Sequence, residues 1–153
     1  MEIRDALPSD AGAIEALYKT FVVNPAIEVR ADRIDEIRAD SRNFLLVAED
    51  AGQLVATAFL TVCLDPMFGF RSYGVIENIV VAEGQRGKGI GRRLLQHIDE
   101  IAAREECTKI MLLSSSHRTR AHAFFVRVGF NAEKKRGFVK YLPRSGPPSA
   151  LSG

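Results

Sequence analysis

The residues best suited to chemistry lie in one stretch, Val80-Val81-Ala82-Glu83-Gly84-Gln85-Arg86-Gly87-Lys88-Gly89-Ile90-Gly91-Arg92-Arg93-Leu94. Glycines at 87, 89 and 91 remove side chains where backbone N–H groups can converge. The start of the helix that follows adds partial positive charge, so the stretch reads as a phosphate cradle. Arg86, Lys88, Arg92 and Arg93 reinforce it, opposed locally only by Glu83. Two nucleotide-binding patterns fail on spacing. A Walker A loop needs Ser or Thr after Gly-Lys, and Lys88 is followed by Gly89. A G-x-G-x-x-G pattern begun at Gly87 ends on Arg92, and one begun at Gly89 ends on Leu94. The second chemical signal is Glu77, which interrupts an otherwise apolar run. A carboxylate there has to be hydrogen-bonded, paired or functional. Strand alternation puts it on one face with Ile79 and Val81, and Asn78 on the other.

These residues need elements to hold them. Residues 74–82 (GVIENIVVA) form the most strand-like run, apolar on both parities, as in a strand covered on both faces. A helix over 89–106 follows, with Ile90, Leu94, Leu95, Ile98, Ile101 and Ala102 at helical spacing. Upstream, residues 2–6 read as a short edge strand. Pro8-Ser9-Asp10 opens a helix with Ile14, Leu17, Tyr18 and Phe21 on one face. A polar helix over 30–41 turns Ile34 and Ile37 inward. Strands over 43–49 and 53–63 are joined by a hairpin turn at Asp50-Ala51-Gly52. Residues 64–73 form a loop with aromatics. Downstream come a strand over 108–114, a helix over 118–128 and strands near 130–134 and 137–142. The order is that of a mixed α/β domain over 1–142, too irregular for a doubly wound sheet. The Pro/Gly/Ser-rich residues 143–153 read as a flexible tail.

The chain has 153 residues, room for one ordinary domain. Net charge is +2, but residues 1–83 hold 7 Lys/Arg against 14 Asp/Glu, and residues 84–153 hold 14 against 5. That division suits an anionic partner on the second half. The basic half carries no helix-turn-helix, zinc or RNA-binding pattern, so nucleic acid is not expected. Cys63 and Cys107 form no CxxC pair, which argues against a disulfide framework or a metal site. The chain shows neither a signal-peptide pattern nor a membrane-length apolar run. The expectation is a soluble, cytoplasmic protein.

Arg86-Gly87-Lys88-Gly89-Ile90-Gly91 resembles the (Gln/Arg)-x-x-Gly-x-(Gly/Ala) motif of the GNAT N-acetyltransferase superfamily. Ala121-His122-Ala123-Phe124-Phe125-Val126-Arg127-Val128-Gly129-Phe130 resembles its A-x-x-F-Y-x-x-x-G-F segment. The two stand in family order. The resemblance implies a GNAT-like fold and acetyl-CoA as co-substrate, with no metal. It implies a pyrophosphate on the amides of Arg86, Gly87, Lys88, Gly89, Ile90, Gly91 and Arg92. The pantetheine arm would pair with Ile79, Val80 and Val81 where the central strand splays from 108–114. Ser114, Ser116, Phe124 and Phe125 would be its neighbours along the following helix.

Making an amide from a thioester requires an amine that has lost its proton, a stabilised oxyanion and a leaving thiolate. The resemblance, with the physical argument above, nominates Glu77 as base and the Val81 N–H as oxyanion donor. The family motif has Tyr where this chain has Phe125, and a phenyl ring donates no proton. Tyr141, Tyr73, Ser116 and His122 are the substitutes considered, while His97 reads as solvated and His117 as a loop residue. A thiolate can also leave without strong acid help, since an ordinary thiol pKa is about 8.5. Acceptor choice is assigned to the first two helices and the 64–73 loop. There Met67, Phe68, Phe70 and Tyr73 either wall a substrate site, anchor the loop or make a homodimer contact. The expected acceptor is a small primary amine. A peptide or protein amine and a non-catalytic acyl-CoA-binding module are the alternatives.

Overall fold

The computed structural model describes residues 1–143. They fall into two compact units, Met1–Leu112 and a second from Leu113 onward. The first holds a five-stranded sheet in the order β1 (Glu2–Asp5), β2 (Asn43–Asp50), β3 (Gln53–Leu64), β4 (Ser72–Val81) and β5 (Cys107–Leu112). Neighbours are antiparallel except β4 and β5, which are parallel. A parallel pair needs a long crossover, and α3 (Ile90–Arg104) supplies it.

Helices α1 (Ala11–Phe21) and α2 (Ala31–Ala39) cover one face. Ile14 and Ile34 pack there with Leu45 and Val47 of β2, flanked by Tyr18 and Phe59. The opposite face buries Leu46, Ala58, Leu60 and Ile76 completely or nearly so. Its cover is α3, whose buried residues are the six with helical spacing: Ile90, Leu94, Leu95, Ile98, Ile101 and Ala102. The edge strand β1 is held by one cation. Arg4 donates from Nη1 to Asp10 Oδ2 and from Nη2 to Glu49 Oε2, both at 2.7 Å. The β2–β3 hairpin closes through Ala51 and Gly52, with φ of 49° and 77°. Two positive φ values make it the mirror-image turn that matches strand twist.

β4 begins at Ser72, two residues earlier than its composition suggests, because Cys63–Tyr73 and Leu64–Ser72 still pair across the hairpin. The intervening loop is correspondingly shorter.

The second unit contains α4 (Thr119–Arg127), with Phe125 buried against Phe124 at 5.5 Å and edge-on to Phe130 at 5.9 Å between centroids. Gly137 passes close to Leu113, and a Cβ there would collide with Leu113 Cδ2. The strands expected near 130–134 and 137–142 are not formed among the described residues. Phe138, Val139, Tyr141 and Leu142 have strand-like composition but are exposed. Side-chain pattern alone makes no strand without a ladder of backbone hydrogen bonds. Of the expected tail, 143–153, all but Pro143 lies outside the described residues.

Candidate active site

Three departures from regular structure define the site, all within the first unit. The first is in β4. Phe59 stands opposite Glu77 and Thr57 opposite Val80, so one residue of β3 faces two of β4. This is a β-bulge, and Asn78 sits in it at φ 54°. Asn tolerates the left-handed region better than most side chains. The bulge overturns the simple alternation. Opposed residues share a face, so Glu77 lies on the face of Phe59, Thr57 and Val80. Val81, opposite Ala56, lies on the other face with Ile76. Glu77 and Val81 therefore do not share a face, and Asn78 is the bulged residue rather than an alternating one.

The second departure is where β4 and β5 part. Their pairing runs from Ser72–Cys107 to Ile76–Leu112 and stops. Glu77 to Val81 have no partner in β5. The Ala82 amide donates to Val55 O at 2.8 Å, which makes the neighbouring Val81–Ala56 pair non-hydrogen-bonded. The Val81 N–H and C=O consequently point away from β3, to the open side. The carbonyl accepts from Arg86 Nε at 3.2 Å.

The third is the glycine loop. A single 3₁₀ turn over Glu83–Gln85 leads into it. Gly87 and Gly89 both take φ of 79°, and Gly89 caps α3. An added Cβ would meet nothing at either position, so glycine serves backbone conformation there, not clearance. The amides of residues 87–92 make no backbone hydrogen bond among the described residues; the first helical amide to do so is Arg93, to Gly89 O at 3.1 Å. Free N–H groups at a helix start favour an anion. Lys88 Nζ is turned onto Gln85 Oε1 at 2.9 Å, while Arg92 and Arg93 are exposed.

These features bring Glu77, Ile79, Val80, Val81 and residues 86–92 into one continuous run at the C-terminal end of β4. Glu77 is exposed, with no hydrogen-bond or ion-pair partner among the described residues. Ser114, Ser116, Phe124 and Phe125 belong to the second unit. There the His122 ring nitrogen Nε2 lies 3.0 Å from Ser115 O. A carbonyl only accepts, so that nitrogen carries the proton.

Tyr73 lies near the opposite end of β4, about 26 Å from Val81 at ~3.3 Å per residue. Its hydroxyl is pushed up by the Cys63 thiol beside it, and Lys109 stands over its ring at 5.4 Å. Met67, Phe68 and Phe70 are at that far end too. Tyr141 is exposed, as is His117; His97 lies 3.8 Å from Glu100.

Sequence reasoning assigned Tyr18 to the core and missed its polar end. Its hydroxyl bonds to that of Thr57, which itself donates to Leu46 O at 2.9 Å. Burial pushes the Tyr18 hydroxyl up, against the lowering effect of Thr57. Thr57 faces Val80, so Tyr18 reaches the same sheet face as Glu77. The available signal was a Thr inside the apolar run of β3 paired with a Tyr on the inward stripe of α1.

Among the described residues no group of three His, Cys, Asp or Glu is placed to hold a metal, and no helix is long and apolar enough to cross a membrane.

A mixed sheet that opens at a bulged central strand, with a glycine loop feeding a helix start beside the opening, is the architecture of an acyl-transfer fold. The chain belongs to the acetyltransferase (GNAT) family, whose model matches residues 12–130, and it is an enzyme of that N-acetyltransferase class. Streptothricin acetyltransferase of Streptomyces lavendulae is 30% identical over 152 aligned positions, covering 84% of this chain and 80% of that one. Glucosamine 6-phosphate N-acetyltransferase of Trypanosoma brucei brucei is 32% identical over 90 residues, 58% of each chain. The chain thus matches little more than half the length of that relative. Among solved structures, glucosamine-6-phosphate N-acetyltransferase from Arabidopsis thaliana superposes with a TM-score of 0.80 at 25% identity, covering 93% of this chain and 98% of that one.

Proposed function

We propose that this enzyme transfers the acetyl group of acetyl-CoA to a primary amine of a small molecule. The observation that carries this is the stretch of β4, Glu77–Val81, with no partner in β5, running into amides 87–92 that make no backbone hydrogen bond among the described residues. The open edge suits an amide-bearing arm that adds like a strand. The free loop amides suit the diphosphate. Acetyl-CoA is the co-substrate of the family, and the excess of cations after residue 83 favours a polyanion. Two relatives bear names that specify a small amine, glucosamine 6-phosphate and streptothricin, which supports a small acceptor here.

The reaction follows from the groups in place. Glu77 accepts the proton of the ammonium, directly or through one water, and frees the nitrogen lone pair. The amine nitrogen bonds to the thioester carbon, and the carbonyl electrons move onto oxygen. The Val81 N–H, aimed at the open side, hydrogen-bonds that oxyanion. The nitrogen, now cationic, gives its second proton to solvent, and as the carbonyl re-forms the C–S bond breaks and its electron pair leaves with sulfur. A thiolate of ordinary pKa, about 8.5, takes its proton from solvent near neutrality, so Phe125 needs no hydroxyl. Tyr18 shares the sheet face of Glu77 and is a positioning residue for the acceptor. The free thiols Cys63 and Cys107 fit a reducing, cytoplasmic setting.

The deciding experiment measures thiol release from acetyl-CoA against a panel of amino sugars, amino acids, polyamines and lysine peptides. Turnover with small amines alone is expected. Turnover confined to peptides would reject the acceptor class, and binding of acetyl-CoA without turnover on any amine would reject this mechanism.

A further inference from the structure

Of the glycine-loop cations, only Arg86 hydrogen-bonds to β4 among the described residues. Its Nε donates to Val81 O at 3.2 Å, on the side where β4 has no partner in β5. Lys88 is turned onto Gln85 instead, and Arg92 and Arg93 are exposed. The short turn before the loop sets the reach of Arg86. The Gln85 amide donates to Ala82 O at 2.9 Å and the Arg86 amide to Glu83 O at 3.3 Å, which folds residue 86 back over the end of the strand. No carboxylate holds the guanidinium among the described residues, and its Nη1 and Nη2 make no hydrogen bond there. A guanidinium has five N–H donors, so most of its capacity is unused. One side chain thus stands between the two parts of the site, the open strand and the free loop amides.

We propose that Arg86 selects the acyl donor by capping the Val81 carbonyl until a diphosphate draws it off. An arm that adds along β4 must take the oxygen that Arg86 now holds. A diphosphate on amides 87–92 competes for the guanidinium and wins, because a hydrogen bond between two ions is stronger than one to a neutral carbonyl. The cap is also exposed to water, which keeps it weak enough to release. A thioester that carries a diphosphate therefore opens the strand for its own arm. A thioester on bare pantetheine has no such anion and has to displace the cap unaided. Arg86 is in this way a specificity residue for the donor, and it couples the two parts of the site. This selection rests on the seat proposed above for acetyl-CoA.

The test compares Arg86→Met and Arg86→Gln with the wild type. Glutamine sets its amide nitrogen at the chain position of the Arg86 Nε, so it keeps the cap without the charge. Methionine sets a methyl group there and keeps neither. Arg86 is exposed, so neither change opens a cavity. Binding of S-acetyl-pantetheine is read by NMR titration. Arg86→Met is expected to bind it about 2- to 10-fold more tightly than the wild type, the worth of one hydrogen bond, and Arg86→Gln no more tightly. Binding of acetyl-CoA is read by titration calorimetry, and both variants are expected to bind it at least about 10-fold more weakly. Opposite signs for two ligands in one variant are not the result of a merely distorted loop. Acetyl-pantetheine bound no better by Arg86→Met than by the wild type overturns the proposal, as does an equal gain in Arg86→Gln. Unchanged acetyl-CoA affinity in both variants overturns it too. A wild type that does not bind acetyl-CoA overturns the proposed function itself, whereas one that binds it without these signs overturns only the role of Arg86.

Discussion

Glu77 has no hydrogen-bond or ion-pair partner among the described residues, and that makes it testable. With no partner to lose, Glu77→Gln should leave the fold and the acetyl-CoA Kd unchanged while lowering kcat by about 10²–10⁴-fold, the usual worth of a general base. A kcat unchanged across the pH range, in steady-state assays, would take Glu77 out of the reaction. Tyr18→Phe should behave differently. It removes a hydroxyl that Thr57 accepts, so the acceptor KM rises more than kcat falls, and acetyl-CoA binding is unaffected. The place of Glu77 on the central strand was legible because a carboxylate in an apolar run is conspicuous. Tyr18 was not, because a tyrosine on the inward stripe of an amphipathic helix looks the same whether its hydroxyl ends in water or on a buried threonine.

Among the elements, β4 carries most of the proposed mechanism, and its bulge had no firm sequence signal. Alternation is a property of ideal strands, and one extra residue reverses every assignment beyond it. Glu77 and Val81 remain together in the site because the bulge and the parting from β5 occur at the same place. Asn78→Val, which puts a β-branched residue at φ 54°, should cost about 1–2 kcal/mol in chemical denaturation and raise the acetyl-CoA Kd. Elsewhere, the β2–β3 turn uses Ala51 where glycine or asparagine is at ease. Ala51→Asn creates the favoured Asn-Gly pair and should raise stability by about 0.5–1 kcal/mol, read as a higher Tm. The helices and the glycine loop were legible because their periodicity is locally encoded. The strands expected after Phe130 failed because pairing is not.

For the molecule as a whole, the division of charge predicts that acetyl-CoA binding weakens with added salt, measured by titration calorimetry, as counter-ions screen the cations around the glycine loop. Acid sensitivity has a local origin. The hydrogen bond from Arg4 holds the Asp10 carboxyl below the usual range, and the Leu7 amide adds to this against the cost of burial. A depressed folded pKa contributes stability that is complete above the ordinary value near ~4 and lost as pH falls through the folded value. Asp10→Asn should therefore lower stability at neutral pH by about 2 kcal/mol and flatten the acid limb of a Tm-versus-pH curve.

The two thiols have a practical bearing on every assay that follows coenzyme release with a sulfhydryl reagent. Cys63 and Cys107 flank β4 through Tyr73 and Ser72, at the opposite extremity from Val81. Two interstrand steps of about 4.8 Å separate their backbones, beyond the reach of a disulfide. Burial, then Glu105, hold the Cys107 thiol high, so it consumes reagent slowly and adds a drifting background. Alkylating the enzyme beforehand should erase that drift and leave turnover intact, and the same two positions would accept a fluorescent reporter without touching the chemistry.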